Sequence, residues 1–384
     1  MREAERIVLF IVTTIIIILI AFVLASQPVI LESQKAKEMR ALVESSSPLD
    51  TSLARKEVLL KVDEFAISTF PFSSILRSVY SSEFMQFFHS RITKAISEIR
   101  AAKVPAGKVR VWYLYNMGVV AKSANITIGF DIGGTWLDPS IGELSKDLDV
   151  LVITHNHADH FDPAVVKGVL QKGGIVIFPG EKVSIREITS SDGLRKTYLI
   201  DRDENGIEPA EALEKIYGIS PKNVVFLKSG ETVDIRGVRI TSYAAKHYVD
   251  WELDTKWEIL RNTSVSWFYV NISNRTILHT GDGYLLYREK DYERLGNMPI
   301  DIMIIHYPDD RALEKYSSSL HKVKRIVPLH LYEFGHGLEE VSLNMRYKQA
   351  LENYDNWKLR FAVRNIATNI SYTPMIWGEH IDIG

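Results

Sequence analysis

Residues 154–160 read Thr154-His155-Asn156-His157-Ala158-Asp159-His160, which sets four imidazole or carboxylate side chains within six residues. The run leading into them, Leu148 to Thr154 (LDVLVIT), is short and almost wholly apolar, as a buried strand requires. In extended backbone His155 and His157, two positions apart, project to one side. Asp159 and His160 follow where the chain turns toward a helix, marked by Asp162 as N-cap and Pro163 at the first helical position. Such a turn can set two ligands on each of two neighbouring ions. Zinc, iron and manganese accept imidazole and carboxylate together. Four such groups are costly to desolvate without a metal, which disfavours a solvated polar loop.

Outward from this segment, β-branched and aromatic runs alternate with polar turns. Strands are expected at 109–115, 126–130, 148–154 and 175–178, then at 224–227, 232–235 and 238–243. Four more follow at 266–272, 276–279, 300–305 and 325–328. Helices are expected at 162–172 and 209–217 and around 337–355, with residues 181–220 as an insertion. Strand groups with interspersed helices predict sheets covered by helices.

Lys plus Arg total 46 against 48 for Asp plus Glu, a net charge of −2, which gives no global attraction to nucleic acid. There are no cysteines, so thiolate ligands, disulfides and a cysteine nucleophile are excluded. Ile7 to Ala25 (IVLFIVTTIIIILIAFVLA) is free of charge and long enough, at about 1.5 Å per residue, to cross a hydrocarbon core. We read it as an uncleaved anchor; a signal peptide, with Val23 and Ala25 as its small residues, is the alternative. Arg2 and Arg6 flank the span directly, which favours an extracytoplasmic domain, and five Asn-x-Ser/Thr sequons are compatible with export. Residues 1–35 are therefore expected to form the anchor and its flank, 36–105 a tether and helical segment, and 106–384 the catalytic domain. Phe65 to Phe88 carries many large apolar residues, which form either helices packed on the core or a lid over the site.

The segment resembles the signature of the metallo-β-lactamase superfamily, HxHxDH, complete as His155, His157, Asp159 and His160. Upstream, Phe130-Asp131-Ile132-Gly133-Gly134 is similar to that family's strand ending in an Asp-x-Gly turn. Downstream, Lys246-His247, His279-Thr280-Gly281-Asp282-Gly283 and Val327-Pro328-Leu329-His330 resemble its later motifs, in order. The resemblance covers about 109–335 and implies an αββα sandwich. It also implies that His155, His157 and His247 bind one divalent ion, and Asp159, His160 and His330 a second, with Asp282 bridging. Asp131 would then orient the ligand loop. The alternatives for single residues are a loop histidine at His247, a turn residue at Asp282 and a core histidine at His330.

Within the superfamily, the later motifs look most like the ascorbate-6-phosphate lactonase-like branch and the N-acylphosphatidylethanolamine-hydrolysing phospholipase D enzymes. The sequence departs from both at His306-Tyr307-Pro308-Asp309-Asp310 and at Tyr248-Val249-Asp250-Trp251, so their substrates do not transfer. The implied activity is that of a membrane-anchored hydrolase with two divalent ions, zinc first and iron or manganese as alternatives. Its substrate would be a small or lipid-like ester, lactone or phosphodiester. Two such ions supply hydroxide near neutral pH, Asp159 would steer it, and His306 would stabilise the leaving group or simply cap a turn. A nuclease of the same fold, or a metal-stabilised module without turnover, are the rival readings, and no nucleic-acid partner is expected. Asp201 to Gly206 imitates the start of a calcium loop, but its twelfth position is Ala212 where a glutamate is required.

Overall fold

The computed structural model describes residues 32–69, 82–189, 196–247, 262–306, 310–331, 351 and 370–384. Ile7–Ala25, Phe70–Tyr80, Tyr248–Trp251 and most of 337–355 lie outside the described residues. Among the described residues, no helix is long and apolar enough to cross a membrane.

In chain order the helices are α1 (Gln34–Glu44), α2 (Leu53–Thr69), α3 (Glu83–Ala101), a 3-10 turn (Pro139–Lys146), α4 (Pro163–Gln171), α5 (Pro209–Tyr217), α6 (Glu289–Gly296) and α7 (Asp310–Ser319). The strands of the first sheet include β1 (Val109–Tyr113), β2 (Val119–Lys122), β3 (Thr127–Phe130), β4 (Val150–Val152) and β5 (Ile175–Pro179). A separate hairpin, β6 (Val183–Thr189) and β7 (Lys196–Arg202), precedes β8 (Val224–Leu227), β9 (Thr232–Ile235) and β10 (Val238–Lys246). The chain continues through β11 (Val265–Ile272), β12 (Arg275–His279), β13 (Leu285–Leu286), β14 (Ile302–His306), β15 (Arg325–Leu329), β16 (Ser371–Tyr372) and β17 (His380–Ile383).

Two sheets result, one in the order β17-β1-β2-β3-β4-β5-β8 and one in the order β13-β10-β11-β12-β14-β15-β16, with β9 added to β10. Side-chain alternation explains the layering. Phe268, Val270, Ile277, Ile304 and Val327 face the first sheet and complete the inter-sheet core. Trp267, Tyr269, Leu278, Met303 and Ile326 face outward, into a second cluster with Tyr292, Leu295 and Tyr316 of α6 and α7. Helices α3 and α4 and the 3-10 turn cover the first sheet. This is the αββα sandwich expected from the sequence.

The N-terminal helices are part of this body. Arg55 of α2 forms a buried ion pair with Glu379, Nη2 to Oε2 2.6 Å, and Arg91 of α3 donates to the Trp377 carbonyl. Phe84, Phe87 and Phe88 are fully buried. Phe84 and Phe88 each stack edge-on against Trp377, and Phe88 also against Tyr115. These rings offer no surface to a substrate, so the lid expectation is corrected for the described part of 65–88. Most of the described stretch between residues 36 and 105 is helical and packs on the core.

Candidate metal centre

In open α/β sheets, ligands gather outside the carboxyl ends of the strands, and every candidate residue here follows one. Asp131 follows β3, and residues 154–160 follow β4. His247 follows β10, Asp282 lies just past β12, His306 ends β14, and His330 follows β15. Three of these turns or their supports hold non-glycine residues at positive φ: Asn116 at 47°, Asp131 at 46° and His330 at 62°. That backbone costs of order 1–3 kcal/mol per residue and persists where the surroundings demand it. The close approach also dictates glycine at Gly133, where a Cβ would collide with the Asp159 carbonyl, and at Gly281, where it would collide with Thr154.

The seven expected ligands come together in two buried groups sharing Asp282. One consists of His155, His157, His247 and Asp282, the other of Asp159, His160, Asp282 and His330; within each, the candidate ligand atoms all lie within 4.8 Å of one another. Asp282 Oδ2 is 3.6 Å from His155 Nε2 and 3.5 Å from His247 Nε2, while its Oδ1 is 3.1 Å from His160 Nε2. Asp159 Oδ2 stands 3.1 Å from His160 Nε2 and 3.2 Å from His330 Nε2.

Asp131 fixes the orientation of two of these imidazoles. Its Oδ1 accepts from the Thr154 amide at 2.7 Å, and its Oδ2 accepts from the Thr154 hydroxyl at 2.6 Å and from His160 Nδ1 at 2.9 Å. His160 therefore presents Nε2 toward Asp159 and Asp282. His155 Nδ1 reaches the Thr154 hydroxyl at 3.1 Å, so the same carboxylate sets its tautomer through Thr154. His279 is a supporting residue: its Nε2 donates to the Met117 carbonyl at 2.8 Å and its Nδ1 accepts from Gly281 N at 3.2 Å.

The electrostatics match a cation site. Burial pushes the His155 imidazole well below its ordinary pKa, and the His160 and His157 charges add to this, so it stays a neutral lone-pair donor. Burial works against the His160 imidazolium, yet Asp159, Asp282 and Asp131 overcome it and hold its pKa well above the usual value. Burial alone would raise Asp282; the His160, His330 and His306 charges reverse this and keep it well below the carboxylate range. Carboxylates closed around one imidazole call for positive charge. His155 Nε2, His160 Nε2 and Asp282 Oδ1 are buried and make no hydrogen bond, at about 1–3 kcal/mol for each unsatisfied group. Divalent ions held by imidazole and carboxylate would satisfy all three, so these residues fit the expected metals.

Other residues escaped the sequence reading. Asn116, fully buried between β1 and β2, donates from Nδ2 to Asp159 Oδ2 at 2.8 Å, and its carbonyl accepts from His330 N. Its only sequence signal is an asparagine in a short turn. Asn156, inside the HxHxDH segment, receives the Ile200 amide on Oδ1 and donates to the Tyr198 carbonyl, which clasps the β6–β7 hairpin onto the ligand loop. The Thr263 hydroxyl is 3.5 Å from His157 Nε2. His306 is buried beside the centre, its ring 4.5 Å from that of His330 and 5.1 Å from that of Tyr284. Asp201, at the start of the calcium-loop imitation, is instead paired with Arg186.

A family model described as a β-lactamase superfamily domain matches residues 113–327, more than half of the chain. Among curated proteins, none matches. The solved structures similar to it include Igni18, a metallo hydrolase from the archaeon Ignicoccus hospitalis (14% identity over 72% of this chain and 99% of that one, TM-score 0.44). They also include the metallo-β-lactamase fold protein YhfI from Bacillus subtilis (12% identity, 72% and 99% covered, TM-score 0.42). A third is CmlA, a diiron β-hydroxylase from Streptomyces venezuelae (14% identity, 73% and 54% covered, TM-score 0.44). By its matched domain, the chain belongs to the β-lactamase superfamily, in the metallo-β-lactamase fold.

Proposed function

We propose that this protein is a membrane-anchored hydrolase that uses two zinc ions to cleave an ester, lactone or phosphodiester bond. The observation that carries the reading is Asp282, buried and shared between two histidine-rich groups. Imidazole and carboxylate donors suit zinc, taken here as the first candidate, and equally iron or manganese as the alternatives. Bound there, two cations would supply hydroxide near neutral pH and electrostatic stabilisation for a developing oxyanion.

The chain's own residues do the rest. Asp159 is held by Asn116 at 2.8 Å, which would fix its carboxylate to accept a hydrogen bond from the nucleophile and steer it. His306, 8% exposed at the end of β14, would stabilise a leaving group or oxyanion, or else cap the turn that follows. Asp131 keeps His155 and His160 in the ligating tautomer. The anchor reading rests on the charge-free run Ile7–Ala25, and the flanking Arg2 and Arg6 favour an extracytoplasmic domain. The substrate is left open among esters, lactones and phosphodiesters, the bonds that metal-supplied hydroxide attacks. The test is a turnover screen of the zinc-loaded chain with p-nitrophenyl acetate, bis-p-nitrophenyl phosphate, a γ-lactone and an N-acyl phospholipid. At least one should be cleaved, and Asp282→Ala should abolish that turnover. Cleavage of none by protein of verified metal content would defeat the hydrolase reading.

A further inference from the structure

Beside the centre lie two cations that the ligand set does not use: Arg202 at the end of β7 and Lys246 at the end of β10. Both address one aromatic ring. Arg202 Cζ is 4.6 Å from the centre of Tyr287, and Lys246 Nζ is 5.8 Å from it. Among the described residues, the carboxylates paired in this neighbourhood are Asp201 and Glu181. The Asp201 carboxylate is engaged by Arg186. Glu181 accepts from the Ser229 amide and reaches Arg202 only at 3.9 Å. Among the described residues Lys246 has no ion pair, and Arg202 Nη1 is buried without a hydrogen-bond partner.

The position matters as much as the charge. Lys246 immediately precedes His247. The Arg202 amide donates to the Asn262 carbonyl at 2.7 Å, and the next residue, Thr263, touches His157. Ile200, two residues before Arg202, is buried in the core while its amide is held by Asn156 of the ligand loop. Alternation puts Arg202 on the same face of β7 as Ile200. A guanidinium with an open buried donor matches the planar oxygens of a carboxylate or phosphate.

We infer that Arg202 and Lys246 form an anion subsite beside His157 and His247, with Tyr287 as its aromatic support. It selects substrates that carry a carboxylate or phosphate group apart from the scissile bond. This rests on the hydrolase reading above, so its test has two arms. In the first, the zinc-loaded full chain is assayed on mono-p-nitrophenyl glutarate and p-nitrophenyl acetate. The ratio of kcat/KM for the anionic over the neutral ester should fall about tenfold in Arg202→Gln and in Lys246→Gln, with partial recovery in Arg202→Lys. In the second, glutarate and inorganic phosphate are titrated calorimetrically into zinc-loaded wild type and Arg202→Gln. Binding of the preferred anion should weaken about tenfold in the variant, and the stronger of the two ligands identifies carboxylate or phosphate as the natural group. An unchanged ratio, or equal affinities in wild type and Arg202→Gln, overturns the subsite. If neither ester is cleaved, ester hydrolysis fails while the titration still decides the subsite.

Discussion

Asp131→Asn isolates what one buried carboxylate does for the metal centre. Asparagine tolerates positive φ at least as well as aspartate, so the 46° backbone at this position should persist. The hydrogen bonds cannot. Asp131 receives three donors: the Thr154 amide, the Thr154 hydroxyl and His160 Nδ1. An amide offers one oxygen to accept and an NH2 that must donate. With the oxygen on the Thr154 amide, the NH2 confronts His160, which must turn its Nδ1 lone pair toward it and carry its proton on Nε2. That proton then points at Asp159 and Asp282, each 3.1 Å away, where the lone pair is needed. Loss of such an orienting partner costs about 10–100-fold in metal affinity, and the misfit costs about 1–3 kcal/mol of stability. Competition with a chromophoric zinc chelator reads the first and urea unfolding of the metal-free chain the second. One of two zinc-binding events should weaken in that range while the other, at His155, His157 and His247, changes less. Two unchanged affinities would refute the claim that Asp131 sets the His160 tautomer.

Three further outcomes follow from the packing. Arg55→Met leaves Glu379 charged and 5% exposed; urea unfolding should lose about 3–5 kcal/mol, and a separate early transition of the N-terminal helices would contradict their integration. Phe84→Ala removes a fully buried ring packed on Trp377. It should cost about 3–5 kcal/mol and lower activity alike on long-chain and short-chain substrates, whereas selective loss on long chains would restore the lid. Burial raises Glu98, but bonds from His380, Lys94 and Trp112 outweigh it and lower its pKa from 4.5 to about 2. Its folded pKa is depressed, so its stabilisation is present above about pH 4.5 and is lost as pH falls toward 2. Glu98→Gln should therefore be less stable than wild type by about 1–2 kcal/mol at pH 7, after allowance for solvent screening. Chemical denaturation across pH should show that gap closing in acid.

The sequence carried the fold where local pattern and tertiary role coincide. The inter-sheet strands, buried on both faces, are nearly continuous apolar runs, and α4 and α5 begin at Asp162-Pro163 and Glu208-Pro209. Strands whose only reason to exist is a distant partner were not legible: β17 forms because His380–Ile383 pairs with β1, some 270 residues earlier. The β6–β7 hairpin reads as polar insertion because it is covered on one side only. Helix α6 is mostly charged and α7 mostly polar, and few of their residues reach the outer core. In the centre, the ligating residue types were visible because no other chemistry explains their crowding. Asn116 and Thr263 were not, since a single amide or hydroxyl acquires its role only when folding brings it to Asp159 or His157.

Asp282 is the residue shared by both buried ligand groups, so the metal content of the chain depends on it. Elemental analysis of the full chain, reconstituted with zinc and freed of loosely held ions, measures this directly. Wild type should hold two ions per chain and Asp282→Ala one or none. Fewer than one ion per wild-type chain, or two retained by Asp282→Ala, would contradict it.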